Sequence, residues 1–228
     1  MEKGSLHMAR MFIIGDSTVE DNKPPFRGWG FGMPELVSDG VEVRNYALSG
    51  RSTKSFIDEG LFEPVQKEIG QGDVLLIQFG HNDEKDDQER HTDPYTSFVD
   101  NLTFFCKTAQ DAGALPVLCT PVSRRLWAGD TSLLYTHGEY AGAVRTLSHI
   151  LHLPLLDLET ETRNLYLSMG KEKCADLFVV LAPGENPDFP DGHEDMTHFN
   201  EKAARTVAGI VAKCMLRDVR TEGYIRHQ

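Results

Sequence analysis

The fold of this chain is decided by the stretch Arg10-Met11-Phe12-Ile13-Ile14-Gly15-Asp16-Ser17-Thr18, in which a compact apolar run passes into a polar turn. A short apolar run bounded in this way is typical of a buried strand, so Arg10–Ile14 is predicted as the first strand. Four later runs have the same character, and longer amphipathic stretches separate them, as in a parallel sheet covered by helices. These further predicted strands are Val41–Asn45, Val74–Phe79, Leu115–Cys119 and Pro154–Leu158.

Three of the stretches between or after these runs have apolar residues at helical spacing. One follows Asp93-Pro94 and ends at Gly113, a second covers about Glu139–His152, and a third covers about Asn200–Met215. The segment Leu181–Thr197 is rich in proline and glycine and is predicted to be a loop. No repeat or linker divides the chain. We therefore predict one α/β domain over residues 10–228, a three-layer α/β/α sandwich with a parallel sheet of about five strands.

Composition excludes several classes of protein. The 228 residues are 40% apolar and 25% charged, and no apolar run approaches the roughly 20 residues that span a bilayer. With 23 Lys and Arg against 35 Asp and Glu, the net charge of −12 argues against binding to nucleic acid or to anionic membranes. Because the four cysteines form no C-x-x-C pair, we expect reduced thiols, most of them buried.

No export signal is predicted at the start of this sequence. Met1–Arg10 is short and polar and lacks the apolar core of a signal peptide, so a cytoplasmic location is predicted. Residues 1–9 are predicted to be a flexible segment or a cloning remnant outside the fold.

Ser17 is a candidate nucleophile because it comes directly after the first strand, and open α/β sheets form their ligand crevice where the strands end. A purely structural interpretation is that Asp16, Ser17 and Thr18 only turn the chain and cap the next segment.

Asp195-Met196-Thr197-His198 precedes the last predicted helix. In a turn, Asp195 can hold the Nδ1–H of His198 while Nε2 faces outward as a base. Two alternatives remain: Asp195 or Thr197 caps the helix, or the nearby acidic and histidine residues bind a metal ion.

Two further strand ends supply candidate groups: an amide at Asn82, and at Gly50 a glycine that, taken alone, is only a turn residue. Asn82 lies in Gly80-His81-Asn82-Asp83 after the third predicted strand, and its amide can donate a hydrogen bond to a developing oxyanion. Gly50 ends Asn45-Tyr46-Ala47-Leu48-Ser49-Gly50, where a glycine lets the backbone N–H approach a substrate closely.

Taken together and in this order, these four motifs resemble the SGNH, or GDSL, hydrolase family. The resemblance implies a flavodoxin-like fold in which Ser17 is the nucleophile, His198 the base and Asp195 its orienting partner. It also implies an oxyanion hole formed by the N–H groups of Ser17 and Gly50 and the side chain of Asn82. No cofactor and no metal ion are expected.

Longer pieces of the chain resemble the rhamnogalacturonan acetylesterase branch of that family, which removes acetyl groups from pectic sugars. They are Gly15–Val19, Gly28–Gly30, Asn45–Thr53, Gly80–Asp83 and Glu194–Phe199.

We expect a serine esterase that removes O-acetyl groups from pectin-derived oligosaccharides through an acetyl-enzyme. The predicted partner is a small acetylated oligosaccharide; the sequence leaves the oligomeric state open. The alternatives are a short-chain lipase- or thioesterase-like esterase and a non-catalytic sugar-binding module. Residues predicted to bind substrate are Arg51, for a uronate carboxylate, His193 and Trp29, with Arg124 and Arg125 as second choices for the carboxylate.

Overall fold

The computed structural model of the chain describes residues 8–227. Residues 1–7, which make up most of the predicted N-terminal segment 1–9, lie outside the described residues, and so does residue 228. The first strand begins at Ala9, one residue earlier than predicted. Among the described residues, no helix has both the length and the apolar character needed to span a lipid bilayer.

A five-stranded parallel sheet forms the centre of the fold. Its strands are β1 (Ala9–Gly15), β2 (Val41–Asn45), β3 (Val74–Gln78), β4 (Leu115–Cys119) and β7 (Leu155–Leu156), in the spatial order β2-β1-β3-β4-β7. All pairings are parallel, so every strand ends at the same edge of the sheet. Because the chain passes from β2 across β1 to β3, the β1–β3 boundary is where such a sheet forms its crevice.

Helices cover both faces of this sheet. They are α1 (Thr53–Asp58), α2 (Glu63–Glu68), α3 (Ser97–Asp111), α4 (Gly138–Leu151), α5 (Leu158–Met169), α6 (Lys171–Cys174) and α7 (Glu201–Met215), with 3₁₀ turns at Trp29–Glu35, Ala175–Leu177 and Glu222–Tyr224.

Alternate residues of the strands enter two separate cores. Met11 and Ile13 of β1 pack on the side of α5 and α7, while Phe12 and Ile14 pack on the side of α1, α3 and α4. A strand that is apolar on both faces needs such a cover on each side. The predicted three-layer α/β/α sandwich is thereby confirmed.

Two short antiparallel pairs lie outside the main sheet. They are β5 (Trp127–Ala128) with β6 (Ser132–Leu133), and β8 (Phe178–Leu181) with β9 (His193–Phe199). The prediction of loop over Leu181–Thr197 is therefore wrong at both ends, since Leu181 belongs to β8 and residues 193–197 belong to β9. Phe178 and Phe199 pair in register and are buried against each other, and Phe178 also packs on Tyr166. This tertiary packing holds a strand whose own sequence is polar.

The fifth strand is shorter than the predicted Pro154–Leu158. Asp157 leaves the sheet to cap α5, accepting a hydrogen bond from the N–H of Thr160. The cap takes the chain out of the strand after Leu156. All four cysteines lie among the described residues and are buried and unpaired, as predicted.

Candidate active site

Ser17 lies in a tight turn after β1. The backbone oxygen of Asp16 accepts from the N–H groups of Val19 and Glu20, and Asp16 Oδ1 accepts from the N–H and hydroxyl of Thr18. Burial alone would raise the pKa of Asp16, but His81, whose Nδ1 lies 3.2 Å from Oδ2, and the bonds from Thr18 lower it. The turn is thus held by an ionised, fully buried carboxylate.

A hydrogen-bonded chain of three side chains starts at this serine. Ser17 Oγ lies 2.9 Å from His198 Nε2, and His198 Nδ1 lies 2.8 Å from Asp195 Oδ2. Because an ionised carboxylate can only accept, Nδ1 carries the proton and Nε2 accepts from the serine hydroxyl. This is the arrangement in which a serine can lose its proton to histidine as it attacks a carbonyl carbon.

Asp195 is fixed by more than the imidazole. Its Oδ1 accepts from the backbone N–H groups of Thr197 at 2.7 Å and His198 at 2.8 Å. Burial would raise the pKa of Asp195, but the hydrogen bonds from His198 and Thr197 outweigh it and hold the pKa well below its ordinary value. Arg125 adds support by donating from its backbone to Met196 and from its guanidinium to Glu194 and to the carbonyl of Asp195.

The three groups predicted to bind an oxyanion lie around Ser17. The N–H groups of Ser17 and Gly50 find no acceptor among residues 8–227. Gly50 has φ +77°, a conformation that side chains disfavour. Asn82 Nδ2 donates to the carbonyl of Arg51 at 3.1 Å, and Asn82 Oδ1 accepts from Arg90 Nη1 at 3.3 Å, which leaves one amide N–H free.

The loops of Gly50 and Asn82 are joined by a second buried carboxylate, that of Asp83. Its Oδ1 accepts from the N–H of Thr53 at 3.0 Å, from the hydroxyl of Thr53, and from the hydroxyl of Thr92 at 3.0 Å. Burial raises the pKa of Asp83 to about 7, although these hydrogen bonds oppose the shift. Thr53 begins α1 three residues after Gly50, so this contact sets the distance between the two loops.

A cavity of about 510 Å³ opens over Ser17 and His198, a size suited to a small ligand. It is lined by Ser17, Asn22, Lys23, Phe26, Ser49, Gly50, Asn82, Lys85, Arg90, His193, Asp195 and His198. Five of the predicted catalytic and oxyanion positions therefore share one cavity. His193, predicted to bind substrate, also lies on its wall, with Nε2 3.3 Å from Asp195 Oδ2.

Trp29 cannot stack on a sugar ring, which corrects the prediction made for it. The side chain is fully buried, and its Nε1 donates to Gln78 Oε1 at 2.8 Å. Gln78 in turn donates to the hydroxyl of Thr18, so Trp29 supports the turn of Ser17 from behind. The aromatic ring that does line the cavity is Phe26, edge-on to His193 and His198.

The three arginines predicted as candidates for a carboxylate do not line this cavity. Arg51 pairs with Glu59 at 2.8 Å, Arg124 pairs with Glu84, and Arg125 pairs with Glu194 at 2.9 Å. Each guanidinium is thus engaged by a carboxylate of the protein itself.

Among residues 8–227, no three His, Cys, Asp or Glu side chains converge as metal ligands.

Sequence reasoning missed the basic residues of the cavity, Lys23, Lys85 and Arg90. Lys85 and Arg90 come only a few residues after the predicted oxyanion motif, and Lys23 comes six residues after Ser17. The available signal was that these basic residues follow, within a few positions, the strand ends that carry the catalytic residues.

A serine joined to a histidine and an aspartate at the carboxyl edge of a parallel sheet is typical of the serine hydrolases. Sequence comparison agrees with this class. The chain belongs to the GDSL-like lipase/acylhydrolase family, whose sequence model matches residues 13–206.

Within this family, the chain can be compared with individual relatives. The chain is 46% identical over 207 residues to rhamnogalacturonan acetylesterase RhgT of Bacillus subtilis strain 168, covering 90% of this chain and 88% of that protein. It is 31% identical over 206 residues to the probable rhamnogalacturonan acetylesterase YesY of the same strain, covering 89% and 90%. A crystal structure of Bacillus subtilis YxiM shares the fold, with a TM-score of 0.78 and 23% identity over 92% of this chain and 56% of that one.

Proposed function

We propose that this protein is a serine esterase that removes O-acetyl groups from pectin-derived oligosaccharides. The observation that carries the chemistry is the continuous hydrogen-bonded chain from Ser17 through His198 to Asp195 at the floor of a sugar-sized cavity. The 46% identity to a rhamnogalacturonan acetylesterase supports the choice of acyl group and sugar.

The first half of the reaction acylates the enzyme. Ser17 Oγ attacks the acetyl carbonyl carbon while His198 Nε2 takes the hydroxyl proton, and Asp195 stabilises the imidazolium that forms. Negative charge on the carbonyl oxygen is met by the free N–H groups of Ser17 and Gly50 and by the remaining amide hydrogen of Asn82. His198 then gives its proton to the sugar oxygen, and the deacetylated sugar leaves.

The second half repeats these roles with water. His198 removes a proton from a water molecule, whose oxygen attacks the acetyl-enzyme, and the collapse of the second tetrahedral intermediate returns the proton to Ser17. Acetate is the product. None of these steps calls for a cofactor. The cytoplasmic location, which would favour oligosaccharides over polymeric pectin as substrates, stays a prediction.

Acetate release from a panel of acetylated carbohydrates tests this proposal. Rhamnogalacturonan fragments, acetylated xylan and a chain-length series of p-nitrophenyl esters are compared, with Ser17→Ala as the inactive control. We expect the fastest acetate release from the rhamnogalacturonan fragments. In the p-nitrophenyl series, we expect the hydrolysis rate to fall sharply for acyl chains longer than acetyl. Preference for long acyl chains would support a lipase-like enzyme instead, and binding without turnover would support a sugar-binding module.

A further inference from the structure

The charged residues of the cavity differ in sign from the protein as a whole. The chain carries a net charge of −12, yet the charged side chains lining the cavity, apart from the two histidines, are three cations and one carboxylate. The carboxylate is Asp195, which already holds His198. Lys23, Lys85 and Arg90 therefore give the cavity a local excess of positive charge.

Two of these cations have no ion-pair partner within residues 8–227. Arg90 pairs with Asp87 at 2.6 Å and donates to Asn82, so its guanidinium is committed to the loop that carries the oxyanion amide. Lys23 and Lys85, by contrast, form no ion pair with any carboxylate among the described residues. In a chain with an excess of acidic residues, two unpaired ammonium groups that line one cavity are available to a ligand.

Their positions place them around the proposed reacting centre. Lys85 lies three positions after the oxyanion residue Asn82, and Lys23 adjoins Asn22, another lining residue, on the loop that leaves Ser17. Cations that line a concave surface raise the local concentration of an anionic ligand and steer its approach. A neutral acetylated sugar gains nothing from this charge.

We infer that Lys23 and Lys85 form a subsite for the carboxylate of a uronate that carries or adjoins the acetylated hydroxyl. The inference rests on the proposed function, because it describes the sugar that the same cavity selects. Both ammonium groups are exposed, so each contributes through a screened interaction, and we expect a loss of roughly threefold to fivefold per lysine.

A pair of substrates that differ only in charge tests the subsite. One is an acetylated galacturonate oligosaccharide with free carboxylates, and the other is the same oligosaccharide with methyl-esterified carboxylates. The measured quantity is the kcat/KM for the oligosaccharide with free carboxylates divided by the kcat/KM for its methyl ester. We expect the wild-type ratio to exceed one at low ionic strength and to fall with added NaCl, and the Lys23→Gln/Lys85→Gln double variant to lower it about tenfold.

The single variants Lys23→Gln and Lys85→Gln are each expected to lower the ratio threefold to fivefold, and Lys107→Gln is the control matched to them in charge. Lys107 is an exposed lysine near the end of α3, away from the sheet edge that carries Ser17, and removing it changes the net charge by the same amount as each single variant. We expect it to leave the ratio at the wild-type value. An equal ratio in the wild type and the double variant would overturn the inference.

Inhibition of p-nitrophenyl acetate hydrolysis separates this inference from the proposed function. Galacturonate and its methyl ester are compared as inhibitors of the wild type and the double variant. If galacturonate inhibits better than its methyl ester and only in the wild type, the subsite stands even if no oligosaccharide is deacetylated. Equal inhibition by both would overturn the subsite, and stronger inhibition by a sugar phosphate than by galacturonate would overturn its assignment to a carboxylate.

Discussion

Replacing Asp195 by asparagine exchanges one carboxylate oxygen for an NH₂ group and leaves the shape of the side chain almost unchanged. Oδ1 of Asp195 accepts from the backbone N–H groups of Thr197 and His198, at 2.7 and 2.8 Å. An asparagine in this place must keep its oxygen toward those two donors, because an NH₂ group there would face two N–H groups. Its Nδ2 therefore takes the position of Oδ2, 2.8 Å from His198 Nδ1.

This orientation forces the wrong tautomer on the imidazole. An amide NH₂ can only donate, so His198 Nδ1 must accept, and the ring proton moves to Nε2. Nε2 then donates toward Ser17 and cannot take its proton. We expect Asp195→Asn to lower kcat about 10⁴-fold, and to be at least as damaging as Asp195→Ala, which leaves the ring free to adopt either tautomer.

The assay is the steady-state hydrolysis of p-nitrophenyl acetate by both variants. An unfolding temperature near that of the wild type shows that Asp195→Asn keeps the fold, so that a loss of activity is assigned to the site. If Asp195→Asn retains more than a tenth of the wild-type kcat, or exceeds Asp195→Ala by a wide margin, the tautomer argument is refuted.

Three further substitutions test other parts of the site. Ser17→Ala is expected to lower kcat by up to ~10⁶-fold and to abolish labelling by an organophosphonate; a labelled variant would contradict the assignment of the nucleophile. Asn82→Ala is expected to lower kcat by ~10²–10³-fold with little change in KM, since its free amide hydrogen meets a charge present only in the transition state; a KM effect alone would indicate ground-state binding. Because burial raises the pKa of Asp83 from 3.8 to about 7, the folded protein keeps a proton between these values that the unfolded chain releases, and stability falls as the pH rises through this window. Asp83→Asn should weaken that decline in unfolding temperature between pH 5 and 8, and an unchanged slope would refute the shift.

The features that were predicted correctly from the sequence are those that depend on a few consecutive residues. A strand buried on both faces must be a short apolar run, and four of the five strands of the central sheet were predicted to within one residue at each end. Parallel strands end at one edge, so the residues just beyond them meet there. Ser17, Gly50 and Asn82 could be predicted to share a site for that reason.

The strand that carries the histidine could not be predicted in this way. His193–Phe199 is half-exposed and polar, and it is held as a strand by its pairing with Phe178–Leu181. The ladder and the buried contact of Phe178 with Phe199 are tertiary, so no periodicity within the segment reveals them. Asp195 and His198 were nevertheless identified as partners from their three-residue spacing, on the expectation of a turn. In the strand that actually forms, two backbone N–H groups hold the Asp195 side chain so that it reaches the ring three residues on.

The substrate-binding residues show the limit of reasoning from adjacency. Arg51 comes directly after Gly50 in the chain, but Glu59, one residue beyond the end of α1, takes its guanidinium away from the cavity. Whether a cation is available depends on which carboxylates lie within reach of its long side chain, and in an acidic protein most arginines find one. Lys23 and Lys85 stay free because no acidic side chain of the described residues reaches them, even though acidic residues lie close to both in sequence. Charge at this site is therefore a property of the folded surroundings, and substitution of the two unpaired lysines is a sharper probe of substrate charge than substitution of any of the paired arginines.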